Sequence, residues 1–332
     1  MSNIHTQMYT DEVHPRSYDG GVLLPEKYKT NEISKVDIKT PQAIKHGKLM
    51  LSRVSFEDGS IYDVKSFEPD KRITDIAVTM TTPWLTEPNG YNYHMANTLM
   101  RRGFPIDLVS AERQRQLWPH IGKSAHNQLR IARHTAEHYE RNDSRLLVAG
   151  VSRAAMIGLS LTAQAKDHDF DVYYGDYIVP CFPESFMSRR QFKKYINLPK
   201  VEVSSLPHIA KLPLKTLIHY PETFSHTTKA WINHIASVPP LLSGDAGVAA
   251  KQISTKQHGT VIAFEGDLLS QGETWQEIFN KKMYPHMDMI LVKGGAHLSC
   301  AEPTTIEEFK ERFERVKAEL VEQGDAKEEL VA

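Results

Sequence analysis

Cysteine is nearly missing: the 332 residues hold two, Cys181 and Cys300, too few for a disulfide framework and without metal-ligand spacing between them. Such a count fits a reducing compartment. An excess of one charge is missing too, because 40 basic residues stand against 41 acidic ones for a formal net charge of −1. With no Lys/Arg block along the chain, nucleic-acid binding is not expected. No run approaches the roughly eighteen apolar residues of a membrane span. The stretch from Met1 to Lys29 is polar, without an apolar core of signal-peptide length. The chain reads as soluble and cytoplasmic. It has no internal repeat and no low-complexity segment. A chain of this size buries roughly 75% of its unfolded surface, enough for a core that needs neither disulfide nor metal.

What is present is a change of rhythm along the chain. Residues 1–45 are polar and without clear periodicity, and read as an N-terminal extended arm. Lys48 to Phe56 and Ile61 to Val64 then flank Asp58-Gly59, which predicts an antiparallel hairpin at the edge of a sheet. From there strands and helices alternate: strand Thr74 to Met80, helix Tyr93 to Arg102, strand Ile106 to Val109, helix Ser124 to Arg141, strand Arg145 to Ala149. Asp171 to Tyr174, Thr260 to Phe264 and Met287 to Val292 continue the strands. Alternation of this kind predicts a mostly parallel, doubly wound sheet with helices on both faces, and the continuous apolar runs predict strands buried on both sides. The core is thus expected over 46–180 and 257–325, interrupted by 181–256. There Pro183, Pro199, Pro207, Pro213, Pro221 and Pro239-Pro240 divide short helical stretches into an inserted helical cap. Its aromatics Phe182, Phe186, Phe192, Tyr195, Tyr220, Phe224 and Trp231 either line a pocket or form the cap's own small core.

The most informative stretch is Leu146-Leu147-Val148-Ala149-Gly150-Val151-Ser152-Arg153-Ala154-Ala155-Met156-Ile157-Gly158, which reads as strand, sharp turn and helix. A serine held in a strained turn crowds its neighbours, so it needs small residues two before and two after it. Gly150 and Ala154 supply them, which makes Ser152 the candidate nucleophile. A serine hydroxyl is weakly nucleophilic at neutral pH, so it needs a base within hydrogen-bond reach and an acid to orient that base. Glu265-Gly266-Asp267 follows a strand that ends at Phe264, and open α/β sheets carry their active groups at such strand ends. Asp267 is the candidate acid, with Glu265 as the alternative. Past the last strand, Gly294-Gly295 lets the loop fold His297 back over the sheet edge as the candidate base.

In these residues and in their chain order the sequence resembles the α/β-hydrolase superfamily, specifically its capped serine hydrolases, over roughly residues 74–320. Gly150-Val151-Ser152-Arg153-Ala154 is similar to the family's nucleophile elbow, Phe264-Glu265-Gly266-Asp267 to its acid loop, and Gly295-Ala296-His297 with the helix Ile306 to Leu320 to its histidine loop and closing helix. The resemblance implies a Ser152–His297–Asp267 catalytic triad and an acyl-enzyme that hydrolyses an ester-type bond. It also implies an oxyanion hole from the backbone N–H of Arg153 and of a residue in the loop Thr81-Thr82-Pro83-Trp84-Leu85. Pro83 has no N–H, which puts Trp84 first, with Leu85 or Thr82 behind it. That loop lacks the family's His-Gly pair, Ala154 stands where Gly is usual, and Phe264 stands where glycine is frequent.

The expected substrate is a small molecule with an apolar acyl or alcohol group, with no cofactor and no metal. His134 and His138, four apart on one helix face, are read as a solvated face rather than a metal site. Arg153 is read as a salt-bridging residue rather than a substrate-carboxylate ligand, and Cys300 as a buried thiol rather than a reactive one. Two other outcomes of the same scaffold are acyl transfer or cofactor-free chemistry with the same triad, and a non-catalytic protein that holds a ligand or partner.

Overall fold

Asp58 and Gly59 turn the chain where the hairpin needs it. Gly59 adopts φ 80°, and Asp58 Oδ1 accepts hydrogen bonds from Ser60 N at 2.9 Å and Ser60 Oγ at 2.6 Å, closing the turn through a side chain. The computed structural model describes residues 32–81, 90–113, 121–180, 258–267, 270, 272–280, 286–301 and 303–327. Within them, strands β1 (Ile33–Ile38) and β2 (Gln42–Ile44) both pair antiparallel with β3 (Gly47–Phe56). The hairpin partner β4 (Ile61–Pro69) pairs with β3 from Ser55 opposite Ile61 to Gly47 opposite Pro69. The last third of the expected arm is therefore sheet, and residues 1–31 lie outside the described residues. Alternation in β1 is weak because Lys35 and Asp37 sit between its apolar residues, which is how an exposed edge resists pairing with other chains.

Six further strands complete a ten-stranded sheet in the order β1-β3-β4-β6-β5-β7-β8-β9-β10, with β2 paired to β3. They are β5 (Ala77–Thr81), β6 (Ile106–Arg113), β7 (Arg145–Val151), β8 (Asp171–Ile178), β9 (Gly259–Phe264) and β10 (Met287–Val292). These six run parallel to their neighbours, while β4 joins β6 antiparallel. Strand order reverses at β5: β6 lies on one side of it and β7 on the other. Crevices at the carboxyl ends of strands beside such a reversal are where open α/β sheets bind ligands, and β7 delivers Ser152 there.

Helices α1 (Gly90–Arg101), α2 (Ile121–His138), α3 (Arg153–Gln164), α4 (Gly272–Asn280) and α5 (Pro303–Glu322) cover both faces. One core cluster joins Ile121, Ala125 and Leu129 of α2, Ile157 and Leu161 of α3 and Trp275 of α4 to the sheet. A second joins Met95 and Leu99 of α1 and Phe309, Phe313 and Leu320 of α5 to the opposite face. The nine-residue α4 was not foreseen from the sequence; it is anchored by Trp275, which is fully buried and donates Nε1–H to Pro180 O at 3.3 Å. Among the described residues no helix is long and apolar enough to cross a membrane.

Where α2 meets the 3₁₀ turn Ala165–His168, two histidines share a hydrogen bond, His126 Nδ1 to His168 Nε2 at 3.0 Å, with their rings edge to face. Burial pulls each imidazole down from 6.5 to about 4; the partner histidine and Arg130 add to this for His126, and Arg130 and Arg133 for His168. Both are neutral in the folded protein at pH 7. Below pH 6.5 the unfolded chain takes up protons that the folded chain refuses until about pH 4, so stability falls as pH drops through that window. The melting temperature is expected to follow, and a His126→Gln/His168→Gln double variant is expected to show a shallower fall between pH 6.5 and 4. Equal slopes would count against this account.

Candidate active site

Strand β7 ends at Val151 and α3 begins at Arg153, so a single residue makes the turn, and Ser152 makes it at φ 60° and ψ −125°. A positive φ at a non-glycine residue costs on the order of 1–3 kcal/mol and persists where the surroundings enforce it. Here Ser152 N donates to Ile178 O at 2.8 Å, and Ala155 N to Ser152 O at 3.1 Å. Gly150 is required by close approach, since a Cβ there would lie 2.7 Å from Ala154 O and 2.8 Å from Ala155 N. Val179, at the end of β8 beside this turn, also has a positive φ, 45°. Nothing in the sequence marks it, for a β-branched residue before Pro180 is expected to be extended.

β9 and β10 lie side by side in parallel, Phe264 opposite Val292, so the turns that leave them meet. Asp267 N bonds back to Phe264 O at 3.1 Å, which turns the Asp267 side chain inward, where it is wholly buried. Its Oδ2 accepts the Nδ1–H of His297 at 2.7 Å, and Ser270 N donates to its Oδ1 at 3.0 Å. His297 opens the 3₁₀ turn His297–Ala301, and its Nε2 lies 2.8 Å from Ser152 Oγ. With Oδ2 occupying Nδ1–H, Nε2 is the nitrogen left to accept the serine proton. Ser152 and His297 are 4% and 7% exposed, so this relay is shielded from bulk water. Glu265 is exposed and its N–H goes to Val292 O; it is Asp267 that meets the histidine.

Three polar residues that the sequence did not single out hold these loops. Ser299 Oγ accepts Ala296 N–H at 2.9 Å, Ser299 N returns a bond to Ala296 O at 2.9 Å, and Thr305 Oγ1 donates to Ser299 O at 2.9 Å. Ser270 ties the acid turn through its backbone, its N–H donating to Asp267 Oδ1. Only the Ser and Thr spacing after His297, suited to local side-chain turns, hints at this.

Arg153 is 2% exposed at the first position of α3. Trp84, Leu85 and Thr82 lie outside the described residues, but the strand end that leads to them is anchored: Thr81 Oγ1 donates to Gln128 Oε1 at 2.7 Å. The expected cap, 181–256, with its aromatics and Cys181, lies outside them as well. Cys300 is buried, 5% exposed, in the core cluster with Phe309 and Phe313. His134 and His138 stack with ring centroids 6.4 Å apart, and no group of three or more His, Cys, Asp or Glu among the described residues is arranged to hold a metal ion.

No protein-family model and no curated protein matches this chain. Solved structures do match it. An acetyl xylan esterase from Paenibacillus sp. R4 superposes with a TM-score of 0.54 at 14% identity, covering 86% of this chain and 89% of that one. Acetyl xylan esterase 1 from Thermoanaerobacterium sp. JW/SL YS485 gives 0.51 at 14% identity, covering 86% and 92%. DcsB, in complex with its substrate analogue, gives 0.56 at 14% identity, covering 80% and 98%. Together with the strand order and the helices on both faces, these likenesses define the architecture: the chain has the α/β-hydrolase fold.

Proposed function

We propose that this protein is a serine hydrolase that cleaves an ester-type bond in a small molecule. The observation that carries this reading is the buried relay from Ser152 Oγ through both ring nitrogens of His297 to Asp267, with links of 2.8 and 2.7 Å. Ser152 Oγ attacks the carbonyl carbon as His297 Nε2 takes its proton, and Asp267 stabilises the imidazolium that forms. The negative charge on the carbonyl oxygen is met by the backbone N–H groups of Arg153 and Trp84, each worth about 10²–10³ in rate. The intermediate collapses, the alcohol leaves with the proton from His297 Nε2, and the acyl group stays on Ser152. Water then gives a proton to His297, adds to the acyl carbon and releases the acid and Ser152. No step calls for a cofactor.

Esterases of the same fold support an ester over other acyl bonds, and the aromatics of 181–256 support an apolar acyl or alcohol group. Labelling with a fluorophosphonate probe, followed by location of the adduct by peptide mass, tests the reading. Wild-type protein is expected to carry the adduct on Ser152, and Ser152→Ala and His297→Ala are expected to carry none. Hydrolysis of chromogenic esters should fall by roughly 10⁶ in kcat for Ser152→Ala. Folded wild-type protein that stays unlabelled would overturn the proposal in favour of a scaffold that holds a ligand.

A further inference from the structure

Asp267 and His297 come from two different turns, so something must set the spacing between those turns. Their parallel strands fix it only as far as Phe264 opposite Val292. Beyond that level the turns touch through positions without side chains. A Cβ on Gly295 would lie 2.1 Å from Cδ1, 2.8 Å from Cγ and 3.0 Å from Cε1 of Phe264. A Cβ on Gly266 would lie 2.6 Å from Gly295 O. The acid turn and the histidine turn are thus wedged together with the ring of Phe264 against Gly295 and the backbone of Gly266 against the Gly295 carbonyl.

Phe264 has little freedom to yield. It is 1% exposed and belongs to the core cluster that contains Phe309 and Phe313, and close-packed interiors transmit a displacement rather than absorb it. Its carbonyl holds Asp267 N at 3.1 Å, and Gly295 is two residues before His297. One side chain therefore connects to the acid through the backbone and to the base through van der Waals contact. We infer that Phe264 and Gly295 are a size-matched pair of positioning residues that set the distance between Asp267 Oδ2 and His297 Nδ1. The large residue on one turn is matched by the missing side chain on the other. This rests on the serine-hydrolase reading, and neither residue acts on the substrate itself.

A methyl group on residue 295 should push the histidine turn off the acid turn. Misplacement by about 1 Å typically costs about 10² in rate, so Gly295→Ala is expected to lower kcat about a hundredfold with little change in KM. With the carboxylate drawn away, the imidazolium loses its partner, so the acidic limb of the kcat/KM profile should move to lower pH. The low-field proton resonance of His297 Nδ1–H should weaken or shift. Adding Phe264→Ala removes the ring that the methyl strikes, and the double variant is expected to regain at least tenfold in kcat over Gly295→Ala. Gly294→Ala is the control in the same turn for strain without contact: its φ of 68° makes a side chain costly to stability, but a Cβ there meets nothing within 4 Å, so its pH profile should match wild type. Should Gly295→Ala fail to fold, Phe264→Leu, which keeps the core filled, is expected to lower kcat severalfold with the same displacement of the pH profile. Folded Gly295→Ala with wild-type kcat, pH profile and low-field resonance overturns the inference. So does a double variant no better than Gly295→Ala, or a Phe264→Leu variant that loses thermal stability alone. The resonance is read without substrate, so a protein that fails phosphonate labelling yet shifts its resonance in Gly295→Ala loses the hydrolase reading and keeps the pair.

Discussion

Asp267→Asn is expected to leave a folded protein whose kcat for ester hydrolysis is down by about 10⁴. The size of the effect follows from which atom the amide presents. Ser270 N donates to Asp267 Oδ1 at 3.0 Å, so an asparagine here keeps its carbonyl oxygen on that donor and turns its NH₂ toward His297. Facing a donor, Nδ1 must accept, and the ring proton moves to Nε2, the nitrogen 2.8 Å from Ser152 Oγ. A protonated Nε2 cannot take the serine proton. The defect is one of tautomer, so KM should change little, and phosphonate labelling of Ser152 should slow in step with kcat. Loss of less than tenfold in both measurements would mean that Asp267 caps its own loop and does not serve His297. Asp267→Glu offers a complementary reading: it keeps the acceptor but overfills a wholly buried site, and is expected to destabilise the protein while retaining the tautomer.

That Ser152, Asp267 and His297 would meet was legible in the sequence because each is tied to a constraint on its immediate neighbours. Gly150 has no room for a side chain beside Ala154, Asp267 follows a strand end, and His297 follows two glycines. Constraints between distant residues were not legible. Phe264 reads locally as the last apolar residue of a strand, and its reason, the bare backbone of Gly295, lies in the turn that follows another strand. The positive φ of Val179 runs against every local preference of a β-branched residue before proline. Ser299, Thr305 and Ser270 are ordinary polar residues until the loops they tie are in place. The edge strands β1 and β2 were read as part of an arm because pairing on one side only leaves weak alternation. Helix α4 is nine residues long, too short for its period to stand out from a loop. What patterning reveals well is the alternation of long, doubly buried strands with helices, which is why the sheet and its flanking helices were foreseen more closely than its edge.

The largest effect on stability is expected far from this site, at Asp107 on β6. Asp107 lies one residue past the start of its strand, whereas Ser152 follows the end of its own, so the two occupy opposite ends of the parallel strands. Asp107 is 1% exposed and accepts hydrogen bonds from Ser66 Oγ at 2.6 Å, Thr135 Oγ1 at 2.7 Å and Arg141 Nη1 at 2.7 Å. The Arg141 side chain is fully buried and also donates Nε to Glu68 Oε1 at 2.7 Å. Glu68 in turn holds Arg72 at 2.8 Å. Asp107→Leu removes the acceptor and leaves a buried guanidinium short of one partner beside the Ser66 hydroxyl, while Thr135 Oγ1 keeps Ala132 O at 3.1 Å. Breaking a buried pair from one side costs about 3–5 kcal/mol, and a chain of 332 residues loses about 1.5 °C in Tm per kcal/mol. A fall of about 5 °C is expected, with kcat per folded molecule unchanged at 25 °C. Adding Arg141→Met removes the under-partnered charge and leaves Glu68 with Arg72; it is expected to recover more than half of the loss, because an apolar pair of similar volume is often as stable as the ion pair it replaces. Denaturant unfolding of both variants decides the matter. An Asp107→Leu variant within 1 kcal/mol of wild type would show that water or rearranged partners reach Arg141, and a double variant no better than the single would place the cost in the Ser66 hydroxyl and the repacking around residue 107 rather than in the charge.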